Sequence, residues 1–298
     1  MTAQRILDTR AMVLQVALCA LWALGQIAIK SVSDQISPLF HAGIRSLGAT
    51  CVLLLWMNWR GIKVWQNDGT LGLGILVGVL FGLEFLFLFQ GFMLTTAARG
   101  TLMLYTSSFF VAIGSHFFIP NQRLSLRRVL GLVCAFLGVA LAFSDKLLLS
   151  SSGMTDTIRG DALCLIAAVF WGATTVIIKA SKLRSVEPER NILYQLAVSA
   201  VVLLLGAMLM TEKGITHSTP YLWGVLAFGI FIIASASYLA WFWLISNYDA
   251  TTLHAFTFLT PLFGIFLSAM LLGEVITPAL AAATVLVAAG IYLVNRGK

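Results

Sequence analysis

Charge is the scarcest ingredient of this 298-residue chain. Only 10% of its residues are Asp, Glu, Lys or Arg, against roughly 25% in a soluble domain. Hydrophobic residues make up 59%, and mean hydropathy is +0.94. A water-soluble fold of this length has no interior large enough for so much apolar surface, so the composition points to a bilayer. Acids are scarcer than bases, twelve against nineteen, for a net charge of +7. The bases lie in short breaks between apolar runs. That is the pattern of topology signals and argues against a nucleic-acid patch. The four cysteines, Cys19, Cys51, Cys134 and Cys164, each sit inside an apolar run and form no CxxC. No disulfide framework and no metal site is expected from them. The sequence also lacks a nucleotide-binding motif, so no cofactor and no direct ATP coupling is expected.

What is present is a series of long apolar runs. A helix needs roughly 20 apolar residues to cross the hydrocarbon core. Runs of that kind lie at 11–30, 37–57, 71–94, 100–119 and 127–144. Five more lie at 160–180, 190–211, 220–245, 250–272 and 277–295. They are rich in Leu and Ala and do not alternate with period two, which excludes membrane strands. The first run is longer than the apolar core of a signal peptide, and no small-x-small cleavage site follows it. It reads as a spanning helix. Ser37-Pro38 and Thr277-Pro278 look like helix starts. Gly61, Gly69 and Gly214 punctuate polar breaks, and the longest polar linker is Ser150-Ser151-Ser152-Gly153.

Basic residues set the expected orientation. Twelve of them fall on the side of the two termini. Five fall on the other side: Lys30, Arg99, Lys146, Arg159 and Lys213. Arg45 and Lys179 lie within runs. The bias predicts a bacterial-type inner (plasma) membrane protein with both termini in the cytoplasm.

The two halves of the chain resemble each other. Trp22-x7-Lys30 matches Trp171-x7-Lys179 at an offset of 149, and Pro38 matches Pro188 at 150. QRLS at 122–125 meets EVIT at 274–277, and Gly138 meets Gly290, both at 152. Each half holds five runs, an odd number, so the halves must sit in opposite orientations. The expected architecture is an all-α polytopic membrane protein, ten transmembrane helices forming two inverted five-helix repeats, 1–149 and 150–298, around a central cavity. Inverted repeats are a transporter architecture, with the substrate near the midplane between them.

The paired Trp-x7-Lys openings, ARGTLMLYTSSFF in the fourth run, ATTLHAFTFLTPLFGIF in the ninth, and LLGEVIT before the last run together resemble the drug/metabolite transporter superfamily. The similarity is to its EamA-type ten-helix exporters and covers about residues 11–295. The resemblance implies a cavity lined by helices one, three and four with their counterparts six, eight and nine. Helices five and ten would pack peripherally. It also implies export of amino acids and related metabolites. Two departures matter. Gln122 stands where the second half has Glu274, so a role for that acid is not duplicated. The first helix also lacks the embedded acid used by the small four-helix multidrug relatives, which argues against a cationic-drug pump.

Among the charges inside runs, Arg45 lies eight residues into the 37–57 run and Glu84 fourteen residues into the 71–94 run. Each costs about 2.5–3.5 kcal/mol at the bilayer centre. One reading pairs them across helices two and three. The other puts Glu84 on the cavity wall, to bind a substrate ammonium or a coupling proton. Polar and aromatic stripes at helical spacing follow. They run through Gln15, Cys19, Trp22 and Gln26; through Tyr105, Ser108, Ala112 and Ser115; and through Cys164, Ala168, Trp171 and Thr175. Two more run through Ala234, Tyr238 and Trp241, and through His254, Thr257, Pro261 and Gly264. For a single Ser or Thr, interhelical hydrogen bonding accounts for the residue equally well. Trp22 and Trp171 are too deep for an interfacial belt, which Trp56, Trp59, Trp65 and Trp223 fit better. His41 and His116 lie nearer run ends and read as structural, whereas His254 reads as interfacial or as part of the site. Pro261 removes a backbone hydrogen bond and predicts a kink in helix nine. Small residues on helices five and ten (Gly131, Ala135, Gly138, Ala142; Ala279, Ala283, Gly290) allow close contact, within one chain or in a homodimer. The expected substrate-contacting set is Trp22, Glu84, Tyr105, Ser108, Trp171, Tyr238, His254 and Thr257.

Few charges, several hydroxyls and many aromatic faces suit a small zwitterion, an amino acid exported by alternating access, with a proton as the candidate coupling ion. A permease for a nucleobase, sugar or drug fits the same scaffold. An intramembrane lipid-modifying enzyme would need a His/Asp/Glu cluster at one membrane face, and the sequence offers none, so no catalytic residues are expected.

Overall fold

The computed structural model describes residues 7–120, 122–144, 154–272 and 278–296. Glu274, Lys146, Thr277 and the linker at 150–153 lie outside the described residues. The chain is all-helical, a multi-pass membrane protein with ten helices among the described residues: α1 (Thr9–Lys30), α2 (Pro38–Trp59), α3 (Leu71–Leu94), α4 (Ala97–Phe118), α5 (Leu126–Ala142), α6 (Met154–Ala180), α7 (Pro188–Leu209), α8 (Pro220–Asn247), α9 (Ala250–Thr257, resuming at Leu259–Leu272) and α10 (Pro278–Arg296). Among the described residues, nine stretches are long and apolar enough to span a bilayer. The tenth, α5, has 17 residues, still about 26 Å at 1.5 Å per residue. The face that carries Thr9 is called inner below, after the charge bias.

The ends of the helices follow local rules. Side chains of Asp8, Thr96, Ser125, Thr219 and Asp249 accept hydrogen bonds from first-turn N–H groups. Pro38, Pro188 and Pro220 occupy first-turn positions, where no N–H is needed. Gly61 and Gly69 turn the chain with φ of 67° and 71°, a region that favours glycine. The sixth helix begins earlier than hydropathy suggests. Asp156 and Arg159 lie in the added N-terminal turns, and Asp161, at the start of the apolar run, is paired with Arg99.

The principal interfaces join the first five helices to the last five. They pair α5 with α10, α3 with α6 and α7, α2 with α7, α4 with α6, and α1 with α9. Replacing each helix by the one five places on maps α4–α6 onto α9–α1, and α3–α7 onto α8–α2. The α5–α10 contact is the closest approach: a Cβ on Gly131 would stand 2.7 Å from the Gly290 carbonyl oxygen, and one on Gly138 2.9 Å from that of Ala283. The small residues on these helices therefore serve a contact within one chain. Trp59, Trp65 and Trp223 are exposed, at 75%, 72% and 52%, as side chains at a lipid interface should be.

Candidate functional site

Two helices break at equivalent depths. Helix α4 stops at Tyr105 and restarts at Ser107, while α9 stops at Thr257 and restarts at Leu259. The break residues, Thr106 and Phe258, are 152 apart, the offset that also relates Gly138 to Gly290. In α9 the cause is Pro261, which has no N–H to give the Thr257 carbonyl. One turn earlier, where the Phe258 N–H bonds the Ala255 carbonyl at 3.4 Å, the His254 carbonyl accepts from the hydroxyls of Ser108 (3.0 Å) and Thr257 (2.7 Å). In α4 there is no proline. The Thr106 hydroxyl donates to the Met103 carbonyl at 2.5 Å. A hydroxyl bonding back onto its own helix is a known bending device, but its sequence signal is weak.

Helix α8 carries a third irregularity, a stretch of wide π-type turns over Phe228–Ser237. Such turns recur at functional sites. This one turns Ser237 toward α1, where its hydroxyl accepts the Trp22 indole N–H at 2.9 Å.

Between these irregular segments runs a chain of rings. Trp22 meets Tyr238 and Trp241 edge-on, with centroids 6.5 and 5.3 Å apart. Trp241 meets His254 at 5.3 Å, His254 meets Trp171 at 5.4 Å, and Trp171 meets Tyr105 at 6.0 Å. Phe81 joins Tyr238 at 6.0 Å. Edge-to-face geometry is the favoured one for such pairs. His254 is fully buried, with Nε2 3.1 Å from the Thr175 hydroxyl. The interfacial reading of this histidine does not hold, because α4, α6 and α8 cover it.

Glu84 and Arg45 are 5% and 4% exposed. They make no direct ion pair: no carboxylate oxygen lies within 4.0 Å of a guanidinium nitrogen. Arg45 packs its guanidinium carbon 5.2 Å from the centre of the Phe85 ring and its stem against Gly229 in the π segment. Arg45 Nε and Glu84 Oε2 are buried without a hydrogen-bond partner.

The two membrane faces differ. At the inner end, Lys179 donates to the Ile245 and Tyr248 carbonyls at the end of α8, the latter at 2.7 Å. Arg128 and Asp249 pair at 3.2 Å, both about 95% buried. The Tyr248 hydroxyl donates to Asp8 at 3.0 Å. The Asp8 carboxyl is held below its ordinary value, first by the Ala11 N–H and then by Tyr248. At the outer end, Gln26 and Lys30 are exposed on the α1 face whose inner members, Gln15 and Cys19, are fully buried. A side chain on Gly264 would meet nothing within 4 Å. Along this face of α1, the residues below the ring chain are covered and those above it are exposed.

Of the residues expected from sequence, Trp22, Tyr105, Trp171, Tyr238 and His254 fall in the ring chain. Ser108 and Thr257 hold the backbone beneath it, and Glu84 lies on α3 one turn from Phe81, which meets the Tyr238 ring. Sequence reasoning missed Phe81 and Ser237. Phe81 lies in a helix so uniformly apolar that no face stands out. The Ser237 contact depends on the π turns, which no periodicity announces.

The sequence profile of the EamA-like transporter family matches residues 9–144 and again 158–296. The chain belongs to the EamA-like transporter family. It is a multi-pass, membrane-embedded small-molecule transporter, and the double match agrees with the internal similarity of its halves. A probable amino-acid metabolite efflux pump of Salmonella typhimurium is 26% identical over 283 residues, covering 91% of this chain and 90% of that one. The corresponding probable efflux pump of Escherichia coli is 23% identical, covering 94% and 93%. An uncharacterized transporter of Archaeoglobus fulgidus is 26% identical, covering 92% and 93%. One solved crystal structure superposes with a TM-score of 0.81 at 18% identity, covering 96% of this chain and 98% of that one, which shows a shared fold.

Proposed function

We propose that this transporter exports amino acids, aromatic ones among them, from the cytoplasm across the inner membrane, with both termini cytoplasmic. Residues 1–149 and 150–298 are the two inverted repeats, and their rocking exposes the central faces to each side in turn. The observation that carries the reading is the ring chain from Trp22 to Tyr105, set where α4 and α9 break. Broken helices at the midplane free backbone polar groups for a solute. Aromatic walls with few charges suit an amphipathic zwitterion rather than an ion or a long lipid. The names of the Salmonella and Escherichia relatives point the same way.

In this reading Trp22, Tyr105, Trp171, Tyr238 and His254 contact the substrate, Ser108 and Thr257 shape the wall, and Glu84 binds an ammonium or a coupling proton. The covered residues at the inner end of α1 and the exposed ones at its outer end support reading this conformation as outward-facing. The test is a screen of the twenty amino acids by counterflow in liposomes, with and without a proton gradient. The expected result is saturable exchange of aromatic and some aliphatic amino acids. Exchange of nucleobases or sugars with none of the twenty would contradict the proposal. Equal export by Glu84→Gln and wild type at every external pH would remove Glu84 from the mechanism.

A further inference from the structure

Among the described residues, Arg45 is the one strongly basic side chain in the outer half of the core that the ring chain does not explain. It stands on α2 with its guanidinium carbon 5.2 Å from the ring of Phe85, the neighbour of Glu84 on α3, yet makes no ion pair with that carboxylate. A structural ion pair would close that gap, because two opposite charges in a low-dielectric interior gain most from direct contact. Here each keeps a buried polar atom unpartnered, Arg45 Nε and Glu84 Oε2. Buried polar atoms are nearly always paired, and those that are not ask for an explanation. His41, one turn from Arg45 on the same face of α2, is 1% exposed with both ring nitrogens also unpartnered, so it does not neutralise Glu84.

The surroundings fit a ligand. Phe85 lies against the guanidinium, and Phe81, one turn from Glu84 on α3, is in edge contact with Tyr238, which meets Trp22 in the same way. The Arg45 stem packs against Gly229 at the start of the π segment. An α-amino acid carries a carboxylate and an ammonium on one carbon. Placed between these two residues, it would satisfy both and lay its side chain along the rings. Arginine is the residue suited to a carboxylate, since its planar fork offers parallel N–H donors.

We propose that Arg45 and Glu84 form a split charge clamp for the head group of a zwitterionic α-amino acid, Arg45 taking the carboxylate and Glu84 the ammonium. The clamp rests on the amino-acid export reading and adds a requirement to it: a substrate must carry both groups. Decarboxylated and deaminated analogues would leave a buried charge unpaired, which polar sites reject strongly.

The experiment is counterflow of labelled phenylalanine in proteoliposomes, challenged with phenylalanine, phenethylamine or 3-phenylpropanoate. If another of the twenty amino acids is moved faster, that one and its two analogues replace the set. The clamp predicts that each analogue competes at least about tenfold more weakly than the amino acid. In Arg45→Gln the advantage over the amine shrinks to about twofold, and in Glu84→Gln the advantage over the acid does the same, while Arg45→Lys retains part of the wild-type preference. Amino-acid exchange in which either analogue competes as well as the amino acid overturns the clamp and leaves the export reading standing. Folded Arg45→Gln protein that keeps wild-type discrimination overturns it too. Wild-type protein that exchanges none of the twenty overturns both. The wild-type competition needs no variant to fold, so it tests the clamp even where Arg45→Gln misfolds.

Discussion

Lys179 and Lys30 close equivalent motifs in the two halves, yet their surroundings are opposite. Lys179 is 3% exposed and donates to two carbonyls at the end of α8. Lys30 is exposed. The same contrast separates the buried pair Arg128–Asp249 from Arg99–Asp161, whose side chains are 30% and 14% exposed. The repeats are built alike, but these inner-end links are dry and their outer-end counterparts are partly solvated. The proposed alternating access predicts such a contrast, because it trades the seals of one face for those of the other.

The contrast between the ends breaks most forcefully at Arg128. Arg128→Ala leaves Asp249 buried and uncompensated, although Asp249 still accepts from the Thr252 N–H and hydroxyl. The loss should be about 3–5 kcal/mol and should appear as a large fall in the melting temperature of the purified protein. Lys179→Ala comes next. It strips the α8 end of a charged donor, for about 1–3 kcal/mol, and should raise labelling of inner-end positions from the cytoplasmic side, whereas Lys30→Ala should change stability by under about 0.5 kcal/mol. Arg99→Ala should cost under about 1 kcal/mol, as partly solvated pairs do. A melting shift at Arg99 equal to that at Arg128 would erase the contrast.

The smallest expected effect is with pH. The Asp8 carboxyl is held below its ordinary value of 3.8 by the Ala11 N–H, then by the Tyr248 hydroxyl. Its contribution is therefore present above about pH 4 and is lost as pH falls through the depressed value. Tyr248→Phe should blunt that acid-side loosening and leave neutral-pH transport close to wild type. Transport that declines only at alkaline pH in wild type and not in Tyr248→Phe would reverse the sign.

The ten helices were readable from hydropathy because a bilayer demands length and apolarity and little else. The Trp22/Trp171 repeat and the Pro261 break were readable because they are single residues with one physical meaning each. The α4 break was not, since Thr106 bends the helix through a hydroxyl bond that many threonines make harmlessly. The interleaving of the halves was also hidden. Sequence suggested two five-helix units, but the largest contacts run between them, so neither half buries its own faces. The separation of Arg45 from Glu84 depends on where α2 and α3 sit against α7 and α8, which periodicity within one helix cannot report.

Side-specific labelling tests the central claim most directly. In a cysteine-free background, Gln26→Cys and Thr251→Cys would be exposed separately to a membrane-impermeant maleimide in right-side-out and inverted vesicles. Gln26→Cys is expected to react only from outside. Thr251→Cys, fully covered at the inner end, should react only from inside and only while the transporter cycles with amino acid. Reaction of both positions from the same side, or of Thr251→Cys at a rate that substrate does not alter, would contradict a path that opens to one face at a time.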